Sequence, residues 1–386
     1  AALLEEEAKF AAAKLRLAEA NIGQARIRAD AAGVARWIEE RVRIGTQTEI
    51  AQALLAGAGE ILAAGNGTAP PFELEVVYRL AVSACTLATD PATQGRAWQG
   101  RGVAAGMLGE VVERQHASKW FSEAQTAFNR ALTVNTRQFM PKAWANTQVD
   151  CGGALVKQAA RTDGDMAKEL VQQALIAFDQ ALEILTREEF PAAWAALQNN
   201  RGAALNRLAE VTYGADRLDA LKASVLAYQA ALEFRTRESS PSQWARTQNN
   251  LGNALSLLGE EAAYGDALDY LERAIAAFDA SLEVDLAAAA PLERAKTLHN
   301  RAATLILFAQ RQRGEAGLSA LDAALECIDR TLEVFDARIW PPFHEAAERK
   351  RAKAQALKGD LRAEMGDTPT PPEPAPPKLP TILHRP

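Results

Sequence analysis

The 386-residue sequence has little of what marks most other protein classes. Its 3 cysteines, Cys85, Cys151 and Cys327, stand far apart and form no C-x-x-C pair. An odd, scattered set of thiols excludes a disulfide framework and a thiolate zinc site. It reads as small apolar residues in a reducing compartment, hence a cytoplasmic location. No apolar run approaches the ~20 residues that cross a bilayer, so no membrane span is expected within the chain, and no signal-peptide pattern is visible. Basic residues are not in excess: 43 Lys and Arg face 49 Asp and Glu, for a net charge of −6. That balance speaks against a nucleic-acid partner, which calls for a basic stripe. The histidines His116, His299, His344 and His384 lie in unrelated contexts without metal-ligand spacing. No phosphate-cradling Gly-rich loop, nucleophile elbow or zinc motif is present. The adjacent Glu260 and Glu261 cannot face one another on a helix. The chain therefore reads as a non-enzyme with neither metal nor cofactor. Strand-type alternation is also missing.

What is present is a repeat. Pro91, Pro141, Pro191, Pro241, Pro291 and Pro341 are 50 residues apart, and other columns keep that register. Trp144, Trp194 and Trp244 follow their prolines by three residues, and Gly102, Gly152, Gly202 and Gly252 by eleven. Tyr78, Phe128, Phe178, Tyr228 and Phe278 precede the next proline by thirteen, and Leu132, Leu182, Leu232, Leu282 and Leu332 by nine. A period near 50 also occurs in kelch propellers, but those need short strands and glycine pairs.

Each unit divides into two helical stretches. The first opens at the proline, whose missing N–H is not needed in a first turn. It carries Trp194, Leu197, Arg201, Leu205 and Leu208 at three-and-four spacing. The second carries a cleaner stripe, Leu268, Leu271, Ile275, Phe278 and Leu282, repeated as Leu318, Leu321, Leu325, Ile328 and Leu332. Tyr213-Gly214-Ala215-Asp216 and Tyr264-Gly265-Asp266 mark turns, with Asp216 or Asp266 expected to cap the following helix. Glu238-Ser239-Ser240-Pro241 closes one unit and opens the next, because the residue before proline disfavours helix.

These units resemble tetratricopeptide repeats. The resemblance rests on Leu251-Gly252-x-x-Leu255, on Ala274-x-x-x-Phe278 with Ser281 and Leu282, and on Ala174, Phe178, Ala181 and Ala124, Phe128, Ala131. It covers about residues 73–340 and departs in its period, since the family's usual repeat is ~34 residues. The excess reads as helices of about twenty residues. Long units with Trp-x-x-x-Gln-Asn-Asn-x-Gly are similar to those of bacterial tetratricopeptide proteins, which often sit beside signalling or effector domains. The resemblance implies an all-α fold, a right-handed α-solenoid of antiparallel two-helix repeats. It also implies a protein-binding scaffold or sensor arm that grips a peptide or protein segment in a concave groove.

The organisation then reads as follows. Residues 1–40 form an amino-terminal helix, 41–340 the array, 341–365 a capping helix and 366–386 a Pro-rich disordered tail in which Pro377 and Pro380 give a P-x-x-P spacing. The chain opens Ala1-Ala2-Leu3-Leu4-Glu5 without an initiator Met, which reads as a fragment or processed chain. In the first segment Phe10, Leu17, Ala31 and Ile38, with Ala13, Ala20, Ile27 and Val34, form a heptad seam interrupted by Gln24. Homo-oligomerisation through a coiled coil and a helix folded back on the first repeat both explain it.

Candidate binding residues are asparagines on the first helices: Asn199, Asn200, Asn249, Asn250, Asn253 and Asn300. In tetratricopeptide proteins these helices line the concave face, where an amide offers donor and acceptor together to an extended peptide. Arg246, and Arg201 beside Asn200, are placed to meet a carboxylate bidentately. The other reading is that the column bonds one helix to the next unit. The tryptophans read as packing between units. The acidic stretch 260–287, eight acids against Arg273, reads as a solvated face or as steering for a basic partner. Oligomerisation module and regulatory part of a larger signalling protein remain the competing functions. Phe278→Ala is expected to cost ~3–5 kcal/mol, as truncating a buried aromatic does; thermal melting checks it.

Overall fold

A computed structural model describes residues 22, 23, 25, 26, 28, 30–42, 46–64, 69–284 and 291–366. Every regular element among them is a helix. In chain order these are α1 (Ala31–Val42), α2 (Gln47–Ala64), α3 (Pro71–Leu87), α4 (Pro91–Val111), α5 (Arg114–Val134), α6 (Pro141–Ala159) and α7 (Gly164–Leu182). Then come α8 (Pro191–Glu210), α9 (Gly214–Leu232), α10 (Pro241–Glu261), α11 (Tyr264–Leu282), α12 (Pro291–Arg311), α13 (Glu315–Leu332) and α14 (Pro341–Glu364). The chain is an all-α, solenoid-like repeat array of consecutive helix pairs, divided into two compact units between Ala254 and Leu255.

In the unit that ends at Ala254, α2 packs on α3, α4 on α5, α6 on α7 and α8 on α9. Each first helix also touches the next one: α2 meets α4, α4 meets α6 and α6 meets α8. Among the described residues of this unit the second helices α3, α5, α7 and α9 do not pack against one another. The first helices therefore form the tightly spaced layer of this unit. In the unit that begins at Leu255, α11 packs on α12, α12 on α13 and α13 on α14.

The glycine and aromatic columns explain the pairing. The rings of Phe128, Phe178 and Tyr228 lie flat against Gly102, Gly152 and Gly202. A methyl group on those glycines would come within 2.7, 2.5 and 2.7 Å of a ring carbon. Two turns further along, Gly109 faces Phe121 in the same manner, and since the ring moves back along its helix as the glycine moves forward, the two helices run antiparallel. Side-chain sizes compensate along that row. Phe121 meets glycine, while the smaller Val171 and Leu221 align with the buried Ala159 and Ala209. In the last pair Ala302 replaces glycine where Ile328, not a ring, is the buried partner.

The connections follow one pattern as well. Between units the chain makes a tight turn closed by Met140 N to Thr136 O (2.8 Å), Phe190 N to Thr186 O (3.0 Å), Ser240 N to Thr236 O (3.0 Å) and Trp340 N to Asp336 O (2.8 Å). Three of the reversals between paired helices use a left-handed residue, Gly164 (φ +65°), Gly214 (φ +59°) and Gly314 (φ +76°), a conformation that glycine reaches without penalty, whereas those before α5 and α11 pass through Glu113 (φ −56°) and Ala263 (φ −61°). This corrects the expected caps. The reversal starts α9 at Gly214, and α11 starts at Tyr264, so Asp216 and Asp266 fall in the first turn instead of at the cap. There they still complement the helix dipole.

Ala31, Val34 and Ile38 of α1 are buried in the same core as Val76, Val77 and Leu80 of α3. These three seam positions pack within the molecule. Phe10, Ala13, Leu17, Ala20, Gln24 and Ile27, like the Pro-rich segment 367–386, lie outside the described residues.

Adjacent glycines test the ring contact. Gly152→Ala should lower stability by about 1–3 kcal/mol, because over-packing outweighs the gain in helix propensity. Gly153→Ala, whose added methyl meets nothing within 4 Å, should raise it by up to ~1 kcal/mol. Urea unfolding of both variants reads the difference.

Candidate functional site

The asparagine column lies on the layer of first helices, but its members have different fates. Asn199 is buried at 7% exposure, and its Oδ1 accepts from Asn250 Nδ2 at 3.3 Å and from the Thr247 hydroxyl at 3.2 Å. Its own Nδ2 reaches Asn200 Oδ1 at 3.5 Å. Asn199 is thus a bond between α8 and α10, and as a groove residue it is corrected: a buried polar group has to be paired, and its partners are neighbouring helices. Asn200 and Asn250 are half-buried and each gives that network one end of its amide. Asn249 and Asn300 are half-buried and engaged with partners of their own. Asn253, half-buried, forms no side-chain hydrogen bond among the described residues.

Arg201 is also committed. Its Nε lies 3.0 Å from Asp179 on the preceding second helix, a bridge repeated by Arg301 to Asp279 at 2.6 Å and by Arg351 to Asp329 at 2.5 Å. Arg246, by contrast, is exposed and has no ion pair among the described residues. Arg246, Asn249, Asn250 and Asn253 are three, four and seven residues apart along α10 and share one face.

A second arginine joins this face from elsewhere in the chain. Arg235, in the turn after α9, is 6% exposed and donates from Nη1 to Thr247 Oγ1 at 3.0 Å, while its Nε is buried without a partner. Burial, then the positive charge of Arg246, pull its pKa down to about 10. No carboxylate offsets either effect. The sequence signal was there in its column: Asn135, Leu185 and Phe335 occupy the equivalent buried position, so a charged residue is the exception. Asn135 bonds Thr147 at 3.1 Å as Arg235 bonds Thr247.

The tryptophans hold the turns. Arg137 sits 5.5 Å above Trp144, and Arg187 sits 5.7 Å above Trp194 and 5.4 Å above Phe234. Arg187 also pairs with Glu233 at 2.6 Å. These contacts tie each connection to the helix that follows. Cys85 and Cys151 are half-buried, and burial pushes both thiols up to about 11, far from the thiolate form a nucleophile needs. Cys327 is buried and also raised, by the same cause. Among the described residues no cluster of His, Cys, Asp and Glu is arranged to hold a metal ion. None of the described helices is long and apolar enough to cross a membrane.

In the unit beginning at Leu255 the column carries a different pair. Lys350 Nζ contacts His299 Nε2 directly, and His299 Nδ1 is buried without a partner. Burial, then the Lys350 charge, hold His299 down to about 4, and burial holds Lys350 down to about 8. At neutral pH the ammonium therefore donates to a neutral imidazole, which carries its proton on Nδ1.

No protein-family model and no curated protein matches the chain. Solved structures do match. One is described as "Circular tandem repeat protein with novel repeat topology and enhanced subunit contact surfaces", at 14% identity and a TM-score of 0.32, covering 92% of this chain and 84% of that one. Another comes from "Computational Design of Self-Assembling Cyclic Protein Homooligomers", at 14% identity and a TM-score of 0.14, covering 93% and 99%. At such TM-scores the likeness carries no argument. The fold stands on the chain's own helices and contacts.

The half-buried His299 sets a pH window. Its folded pKa of about 4 lies below the ordinary histidine value of 6.5, so between those values the unfolded chain binds the extra proton. Stability then falls as pH drops from 6.5 through 4. His299→Asn, which matches the residue type of the column, should remove up to about 3 kcal/mol of that dependence. Urea titrations of both proteins across the window provide the check.

Proposed function

We propose that the chain is a protein-binding scaffold of the tetratricopeptide type, and that α10 holds an acidic protein segment. The observation that carries this reading is the buried guanidinium of Arg235, held on Thr247 next to Arg246, with no ion pair to a carboxylate among the described residues. A buried guanidinium that feels a second positive charge raises the energy of the free protein, and an anion relieves it. A guanidinium takes a carboxylate in two parallel bonds, which fixes direction as well as affinity. Asn253, with its amide unengaged, and Asn250, four residues beyond Arg246, are placed to meet the backbone of the same segment. The tetratricopeptide resemblance supports this placement, since first helices line the binding face in that family.

The work proposed is binding, without catalysis. Protein association of this kind suits a part of a larger signalling protein, and self-association through residues 1–40 is the competing role. Burial of Ala31, Val34 and Ile38 within the first unit favours the scaffold reading over a seam that uses those positions.

Peptide arrays carrying glutamate- and aspartate-rich segments, with glutamine and asparagine counterparts, test the reading. Acidic peptides should bind better than neutral ones, with an affinity that weakens as salt rises. Arg246→Ala with Asn253→Ala should weaken binding at least ~10-fold, a loss of about 1.4 kcal/mol. Helicity and melting should stay unchanged, since neither side chain forms a hydrogen bond or ion pair among the described residues. Equal binding of neutral peptides, or unchanged binding by the double variant, overturns the proposal.

A further inference from the structure

At the opposite end of the same unit the column changes sign. Asp150 of α6 occupies the position held by Asn200 and Asn250 in the next units. It opens on a cleft of about 440 Å³ between α2, α3, α4 and α6. The walls are apolar, with Leu55 and Leu62 from α2, Val77 from α3 and Val103 from α4. Glycines make the space. A methyl group built on Gly59 meets nothing within 4 Å, and one on Gly100 touches only Leu55 Cδ2, at 3.6 Å.

Polar groups in this cleft are few and unevenly placed. Gln99 Nε2 donates to Asp150 Oδ2 at 2.7 Å, fixing the carboxylate. Loss of water around Asp150 pushes its pKa up, and that hydrogen bond opposes the shift. Asp150 forms no ion pair among the described residues, and no cation opposes that upward shift. Arg96 lies on the lining but is exposed, donates to Thr93 Oγ1 at 3.2 Å and is drawn toward Asp90 at the start of α4. Gln52 is likewise bonded to Thr93, at 3.2 Å. The carboxylate is therefore the charged group left without a counter-ion beside the apolar walls.

We propose that this cleft receives a lysine side chain from a protein segment, with the ammonium on Asp150 and the methylene stem along Leu55, Leu62 and Val103. A lysine side chain has the required form, a compact cation on an apolar stem that gains from lying against apolar walls. Charge complementarity selects it over a neutral or acidic side chain. This site is separate from α10 and does not depend on that reading, because it takes the opposite charge through different helices.

The test uses the full chain and three pentapeptides that differ only at the centre: lysine, its neutral isostere norleucine, and glutamate. Titration calorimetry should show saturable binding of the lysine peptide at least ~10-fold tighter than the norleucine peptide, with none of the glutamate peptide. Asp150→Asn, which keeps the shape and the Gln99 contact, should erase the preference for lysine. Gly59→Leu should block the cleft while leaving Asp150 in place, and it removes a glycine from a helix, so folding is not at risk. Equal affinity for lysine and norleucine overturns the proposal, as does a lysine preference that survives both variants. Pentylammonium binding as tightly as the lysine peptide would also overturn it, marking a site for free amines.

Discussion

The contact on which the rest of this structure depends is an aromatic ring laid against a helix that has no side chain to receive it. Phe128 on Gly102, Phe178 on Gly152 and Tyr228 on Gly202 bring two helices together more closely than any larger residue permits. A glycine inside a helix costs about 1 kcal/mol relative to alanine. Burying the face of a ring offsets that, because a large apolar surface leaves water and packs at crystal-like density. The pairing also fixes register. A slip would carry Phe128 off Gly102 and move the second contact of the row, Phe121 on Gly109, out of place.

Once the pairs are set, the units join through polar groups, and from Cys151 onward these obey a local rule, whereas Arg101 pairs with Glu123 of the helix that follows it. Arg201, Arg301 and Arg351 appear where the preceding second helix offers Asp179, Asp279 and Asp329. Where that helix offers Asn129 or Gln229, the arginine gives way to Cys151 or Leu251. An unpaired arginine at this half-buried joint would lose hydration without gaining a partner. The same logic makes Arg235 conspicuous, since it is a buried guanidinium whose pKa is lowered further by the charge of another arginine, Arg246.

Much of the fold was legible before any coordinates. Prolines at a 50-residue interval marked where first helices begin, and α4, α6, α8, α10, α12 and α14 start at those prolines. The ring and glycine columns named the two sides of the contact that pairs them. The caps were less legible. Asp216 and Asp266 carry the right chemistry for a cap, but a left-handed glycine at 214 moves one helix start upstream, and Tyr264 opens the other. Backbone reversal outranked side-chain preference.

The candidate site divides along the same line. The sequence by itself determined which residues share a helix face, because helical spacing alone places Arg246, Asn249, Asn250 and Asn253 together. Only the tertiary structure decided which of the asparagines is closed off. Asn199 is buried because Thr247 and Asn250 of the next unit reach it, whereas Asn253 meets no such neighbour. It alone also brought Arg235 to Arg246, and Asp150 to a cleft opened by Gly59 and Gly100. The reason is physical. Helical periodicity is a property of one chain segment, but burial and pairing depend on how closely a second segment approaches, and that distance is set by side chains fifty residues away.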